Sequence, residues 1–385
     1  MSSAARSEAK TIRPLTSIRF FAAFFVVLHH SAHVFLPAFS GMFLGPVPNG
    51  FGSRMLLVMA ASVSFFFMLS GYVLSVAYLR ERKAIDTGRF FAARFARVCP
   101  LYFLMIVLCT PEVLVGKVRE FGLAGGLIKT GVAFAAHIAM VQAWFPARVA
   151  GIDGPSWSLS VEAFFYLCFP VLGVLLWRLR GALLPVTALG LHVGGQALLW
   201  AARPHLNERT LFFWPPLHLS TFALGVVLAR WQILRETQAH RPVVRVWQVN
   251  FVLLLSGAGI MATVVLLPYF HLAELFRNGL LAPVFAGIIW ASSARSSWWS
   301  RLLSGSWLVA LGDASYAMYL LHIPLLGLFQ YLHWTSQAQY PAYLALCVGV
   351  SLLSFFYFET PARLWLLARF RVRPLETVNV ASIAQ

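Results

Sequence analysis

The sequence predicts an all-α polytopic membrane protein, a bundle of about ten transmembrane helices with both termini cytoplasmic. Three observations carry this. Of 385 residues, 59% are hydrophobic and 11% charged, whereas about a quarter of a soluble domain is charged. Mean hydropathy is +0.75. The 30 Lys and Arg, which set a formal net charge of +17, gather at the ends of apolar stretches. So basic a soluble chain would suggest a nucleic-acid partner. Here no compact basic domain exists to hold one, and the charge reads as a topology signal with the lipid bilayer as the partner.

Apolar segments of spanning length fall at 15–36, 55–79, 98–115, 127–145, 157–177, 182–202, 211–229, 247–269, 278–293, 305–331 and 341–367. The first outruns the apolar core of a signal peptide and contains Arg19 and three histidines, so it reads as a helix that stays in the membrane. Charge decides the fate of 127–145. If that segment is re-entrant or interfacial, the cytoplasmic face collects Arg6, Lys10, Arg13 and the basic residues of 80–97, 178–180, 230–245, 295–301 and 363–373. These are 21 of the 30 Lys and Arg, against 8 outside, as the positive-inside rule expects. If it crosses, the basic residues of 230–245 and 369–373 land outside. Lys129, His137 and Gln142 within the segment agree with the first arrangement. The organisation expected is a cytoplasmic segment at 1–14, a membrane domain at 15–373 and a short cytoplasmic tail at 374–385. The four cysteines form no CxxC pair, so they read as packing residues, with neither a zinc site nor a disulfide framework.

Ionisable residues inside spans are costly and usually functional. Arg19 and His30 are eleven residues apart, close to three helical turns, so they share a face and sit roughly 16 Å apart along the axis. His30 is a natural general base near neutral pH. Alternatives are that Arg19 snorkels to the inner headgroups and that His30 bonds a neighbouring helix. His29 and His33 lie one turn apart but have no cysteine or acid nearby to complete a metal site, so no metal is expected. Ser70 and Gly71 put two small residues in mid-helix, for close packing or for a slender ligand. Arg94 and Arg97 are three apart and present two guanidinium forks, suited to a phosphate or serving only as topology signals.

Asp153-Gly-Pro-Ser-Trp157-Ser158-Leu-Ser-Val-Glu162 leads into the next span. Ser158, Glu162 and Tyr166 share a face, and the carboxylate could orient a histidine, bind sugar hydroxyls or remain hydrated at the interface. Leu311-Gly-Asp-Ala-Ser-Tyr316 is followed by Tyr319, His322 and Pro324, a further polar stripe. Glu359 and Arg363 stand one turn apart around Pro361 and read as a structural ion pair.

In this order the segments resemble the membrane-bound acyltransferase 3 family, which includes bacterial O-antigen and exopolysaccharide O-acetyltransferases. The matching pieces are Arg19 to His30, Phe65 to Gly71, Arg94-x-x-Arg97 with Pro100-Leu-Tyr, Trp157-Ser-Leu-x-x-Glu162, Leu311-Gly-x-x-Ser-Tyr to His322-x-Pro324, and Glu359-x-Pro361. The resemblance implies a ten-helix core in a bacterial inner (plasma) membrane. It implies transfer of an acyl group, most often acetyl, from cytoplasmic acyl-CoA to a hydroxyl of a cell-surface glycan or lipid-linked acceptor. Acyl-CoA is then a donor substrate, with no bound cofactor. His30 and Glu162 match the family's catalytic positions, and the spacing from Arg19 selects His30 over His29. Arg19, Arg94 and Arg97 match the arginines linked to the donor, with Ser70, Trp157, Ser158, Tyr316, His322 and Glu359 as a supporting polar stripe. Thr16 stands where many relatives carry a carboxylate. Many relatives also have a fused esterase-like outer domain that this length does not accommodate, so the bundle itself or a partner protein completes the transfer. A homo-oligomer or membrane partner is left open, and so is whether His30 acts as base or acyl carrier. The competing reading is a transporter or flippase working with a separate transferase, although no internal repeat or pair of matched broken helices supports it.

Overall fold

The computed structural model describes residues 12–39, 50–80, 85–146, 151–237, 244–270, 276–294 and 297–372, and these are helical with short connections. The segments expected at 1–14 and 374–385 lie mostly or wholly outside the described residues. Helix α1 runs Arg13–Phe35, starting on a proline in its first turn, where the missing N–H costs nothing. α2 (Phe51–Met59) and α3 (Ser62–Tyr78) form one near-continuous span. α4 (Thr87–Ile138) is capped by the Asp86 side chain, which accepts from the Arg89 amide at 3.0 Å. There follow α5 (Trp157–Trp177), α6 (Leu183–Ala202), the short α7 (Glu208–Phe213), α8 (Leu219–Glu236) and α9 (Val246–Phe270). The last third holds α10 (Ala282–Ser293), α11 (Trp298–Leu303), α12 (Ser306–Asp313), α13 (Ser315–Tyr331), α14 (Tyr340–Ser354) and α15 (Thr360–Arg369).

Among the described residues, eight helical stretches are long and apolar enough to cross a membrane, or nine when the bent pair α12 and α13 is taken as one span. The remaining expected span, 278–293, is cut short. Gly279 sits at φ 97° and the helix proper occupies only twelve residues, Ala282–Ser293. Leu189 on α6 and Leu254 on α9 are 64% and 73% exposed. Leucine-rich helix faces left open to this degree belong against lipid, and the protein is an integral membrane protein.

The segment 127–145 doubles back. Gly122 takes φ 74° and ψ 172°, which breaks α4 into two antiparallel arms. The Tyr102 hydroxyl ties them together by donating to the His137 carbonyl at 2.8 Å. Three of the segment's polar residues find partners. His137 Nδ1 lies 2.7 Å from the Ala133 carbonyl, Gln142 donates to the Ser156 carbonyl at 2.8 Å, and Lys129 lies over the Phe121 ring.

The core is aromatic. Phe165 stacks on Phe222 with centroids 4.7 Å apart, and Phe90 stacks on Phe169 at 5.5 Å. At its centre α3 and α8 touch backbone to backbone. A Cβ on Gly71 would strike the Phe222 carbonyl, and one on Gly225 would strike the Met68 carbonyl. This is the small-residue crossing typical of membrane helices, reached here from both sides. Gly225→Ala is therefore expected to destabilise the fold by about 1–3 kcal/mol through overpacking. Gly190→Ala, on α6 with nothing within 4 Å, should be neutral. Thermal unfolding of both variants in detergent checks the contrast.

Candidate active site

The site is assembled on α1. Near its start, Gly312 of α12 packs against the Thr16 carbonyl so closely that a Cβ there would overlap it. The chain then bends by 56° between α12 and α13, and Ser315 Oγ covers the break by donating to the Gly312 carbonyl at 2.6 Å. The bend carries α13 along the rest of α1 and brings His322 to His30. Their Nδ1 and Nε2 atoms are 3.0 Å apart, and the rings stack with centroids at 5.2 Å. His322 is fully buried, and the Tyr343 hydroxyl donates to its carbonyl at 2.9 Å. His29, a third of a turn away, faces elsewhere: its Nδ1 lies 2.8 Å from the Leu56 carbonyl. Among the described residues no three His, Cys, Asp or Glu side chains gather into a metal-sized cluster.

Toward the N-terminal end of α1 from this pair lie two adjoining cavities. The deeper one, about 120 Å³, is lined by Arg19, Arg94, Arg97, Ser70, Glu162 and Tyr166 among others. Glu162 Oε1 accepts from Ser70 Oγ at 3.0 Å and from the Tyr166 hydroxyl at 2.6 Å. The mouth cavity, about 130 Å³, is lined by Arg19, Arg80, Arg97, Arg363, Asp313 and Glu359. Arg19, Arg97 and Tyr316 belong to both, so the two form one polar path. Tyr316 is fixed by donating to the Val98 carbonyl at 2.7 Å.

The path stops short of the histidines. Tyr319 lines its deep end, its ring edge-on to Phe66 at 6.2 Å and 6.1 Å from the His322 ring. Its hydroxyl donates to the Pro155 carbonyl at 2.9 Å and lies 2.8 Å from Ser158 Oγ. That anchor is the tight turn ahead of α5, in which Ser156 Oγ donates to the Asp153 carbonyl at 2.6 Å. The Asp153 side chain is 3% exposed, and among the described residues neither carboxyl oxygen has a hydrogen-bond partner. Burial pushes its carboxyl up to about 7.

The sequence-predicted residues are thus sorted by place. Ser158, Glu162 and Tyr166 do share a face, but Glu162 turns to Ser70 and the arginines, while His322 takes the position beside His30. Ser70 and Gly71 part company: the serine meets Glu162, and the glycine makes the α8 crossing. Arg94 lines only the deep cavity, its guanidinium over the Tyr78 ring at 5.8 Å, whereas Arg97 reaches both cavities. Trp157 stands apart in an aromatic cluster with Phe67, Phe213 and His218, at 6.0, 5.1 and 5.5 Å. Glu359 closes a π-helical turn, Phe355–Glu359, where Ser354 Oγ donates to it at 3.5 Å. It lines the mouth together with Arg97 and Arg363 rather than facing Arg363 alone. Sequence reasoning assigned no role here to Arg80 or Asp313. The signal for Arg80 was present, since Val73, Val76, Ala77 and Arg80 follow the i, i+3, i+4, i+7 spacing of one helical face.

A helical membrane bundle with a histidine pair above an arginine-lined interior defines the class. The comparisons give the family: the acyltransferase domain of the acyltransferase 3 family matches residues 15–359, and the chain belongs to that family. It is similar to acyltransferase MdmB of Streptomyces mycarofaciens, 32% identical over 281 residues, covering 68% of this chain and 66% of that protein. It is similar to nodulation protein 10 of Rhizobium leguminosarum bv. viciae, 30% identical over 211 residues, 49% of this chain and 50% of that one. O-acetyltransferase OatA of Staphylococcus aureus is 24% identical over 379 residues, 91% of this chain and 57% of that protein. The chain therefore spans about half to two thirds of the length of these relatives. No solved structure matches it.

The buried Asp153 carboxyl sets a pH dependence. Its folded pKa of about 7 lies above the unfolded value of about 3.9, so the folded chain binds the extra proton. Stability then falls as pH rises from about 4 through about 7. Asp153→Asn should flatten that decline and leave the protein more stable than the parent at about pH 8, as read from thermal unfolding in detergent across pH.

Proposed function

We propose that the protein transfers an acyl group, acetyl in the simplest case, from cytoplasmic acyl-CoA to a hydroxyl of a cell-surface glycan or lipid-linked acceptor, in a bacterial inner membrane. The observation that carries this reading is the His30–His322 pair just beyond the inner end of an arginine-lined path that opens on the opposite side. The names of the relatives MdmB and OatA support the acyl and O-acetyl parts of it.

In this mechanism Arg19, Arg94 and Arg97 hold the anionic donor, as guanidinium forks do. Glu162, held by Ser70 and Tyr166, orients the arginines that face it. With the His30 Nδ1–H donating to His322 Nε2, His30 Nε2 is the nitrogen that acts as base. It takes the proton of the acceptor hydroxyl as that oxygen attacks the thioester carbonyl. The C–S bond then breaks, and the departing thiolate takes the proton back from the imidazolium. His322 is a positioning residue in this scheme. For the thioester to meet His30, Phe66 and Tyr319 move apart.

The test is acyl-CoA-dependent acylation by purified protein, with mass spectrometry of surface glycans and lipids from cells carrying each variant. His30→Ala should lower turnover by about 10²-fold or more, the usual worth of a general base. His322→Ala should also lower it, and His322→Gln, which can accept from Nδ1–H, should restore part. Intact acylation in His30→Ala overturns the reading.

A further inference from the structure

The donor reading leaves open where the charged end of so long a molecule rests. Arg94 and Arg97, matched to its phosphates, do not line the same space: only Arg97 reaches the mouth cavity. Arg94 lines only the inner cavity, beside Ser70 and Glu162. α3 serves as a ruler, because it lines both cavities. Ser70 and Tyr78 are eight residues apart, about 12 Å of helix rise, and Arg80 lies beyond the helix end, at the mouth. The mouth also holds Arg363, Arg97 and Arg19, opposed by the carboxylates of Asp313 and Glu359. Four guanidiniums against two carboxylates leave a net positive concave surface, which suits an anion with several oxygens.

Arg80 is also available to a ligand. Its ion pair with Glu236 is 3.0 Å long, with side chains 55% and 40% exposed, and exposed pairs of this kind are weak. Behind it, Gln232 bridges Glu236 at 3.3 Å to the Tyr72 hydroxyl at 2.8 Å, so the wall on that side is braced. Arg363 belongs to the opposite wall, on α15.

We infer that Arg80 and Arg363 form a mouth subsite for the phosphates of the donor's nucleotide end, the ribose 3′-phosphate of CoA above all. Arg97 and Arg19 mark the passage inward, and Arg94 serves the arm that carries the thioester. This rests on the acyl-CoA reading above, and the experiment separates the two.

The full chain is reconstituted in phosphatidylcholine nanodiscs, and calorimetry measures binding of CoA, 3′-dephospho-CoA and adenosine 3′,5′-bisphosphate. The parent should bind CoA roughly tenfold tighter than 3′-dephospho-CoA, about the worth of one charge-assisted hydrogen bond. The bisphosphate should compete with CoA. Arg80→Gln and Arg363→Gln should each narrow that gap while leaving dephospho-CoA affinity unchanged, and Arg363→Lys should keep part of it. Arg94→Gln should weaken both ligands alike. Equal binding of the two CoA forms by the parent overturns the subsite and leaves the donor reading standing. So does failure of the bisphosphate to compete, if the Arg80 and Arg363 variants instead lose retention on phosphatidylglycerol vesicles, because lipid headgroups are then the anion. No binding of either CoA form overturns the donor reading itself.

Discussion

A guanidinium and an imidazole three turns apart in one apolar helix must be satisfied by the surrounding helices, because hydrocarbon supplies no hydrogen bonds. Much of the bundle answers that demand on α1. At the arginine end, α3, α4, α5 and α13 converge on α1 to make a polar chamber lined by Arg19, Glu162, Ser70 and two further arginines. At the histidine end, a second helix supplies a second imidazole 3.0 Å away. The 56° bend between Asp313 and Ser315 makes both possible. It lets one stretch of chain pack its backbone on α1 at Gly312 and still deliver His322 ten residues later.

Hydropathy and charge made most of the architecture legible, because each span is an apolar run bounded by basic residues. The two least regular spans were harder. The shortness of α10 follows from the left-handed Gly279, and the bend at α12–α13 from a backbone contact with Thr16, a residue nearly three hundred positions away. The first cause is local, three residues ahead of the helix, and the second is not. The hairpin in α4 was half legible. Lys129, His137 and Gln142 marked a segment unlike its neighbours, but only the dihedrals at Gly122 give the reversal.

The candidate site divides the same way. Helical spacing put Ser158, Glu162 and Tyr166 on one face, and that face is real, with Tyr166 donating to Glu162. Spacing cannot say which neighbour a face meets, so the arginine chamber as partner of Glu162, and His322 as partner of His30, emerge only in three dimensions. Trp157 shows the converse. It stands in the same run as Ser158 and Glu162 yet points into an aromatic cluster with His218, a packing role that its sequence neighbours conceal. Arg80 was legible as a charge at a helix end, and its place on the cavity-facing side of α3 is what gives it a further meaning.

The reciprocal contact of Gly71 with Phe222 and of Gly225 with Met68 has a mechanical consequence. Two helices that meet backbone to backbone have no layer of side chains to slide over, and shear between them opens voids or forces clashes. α3 is therefore a fixed wall, and it lines both cavities along its length. Any widening of the path has to come from the facing elements: α1, the bent α12–α13 pair and the π-helical turn ahead of α15. In the last two the helical ladder is already interrupted, and a chamber with one rigid side and one jointed side opens at the jointed side.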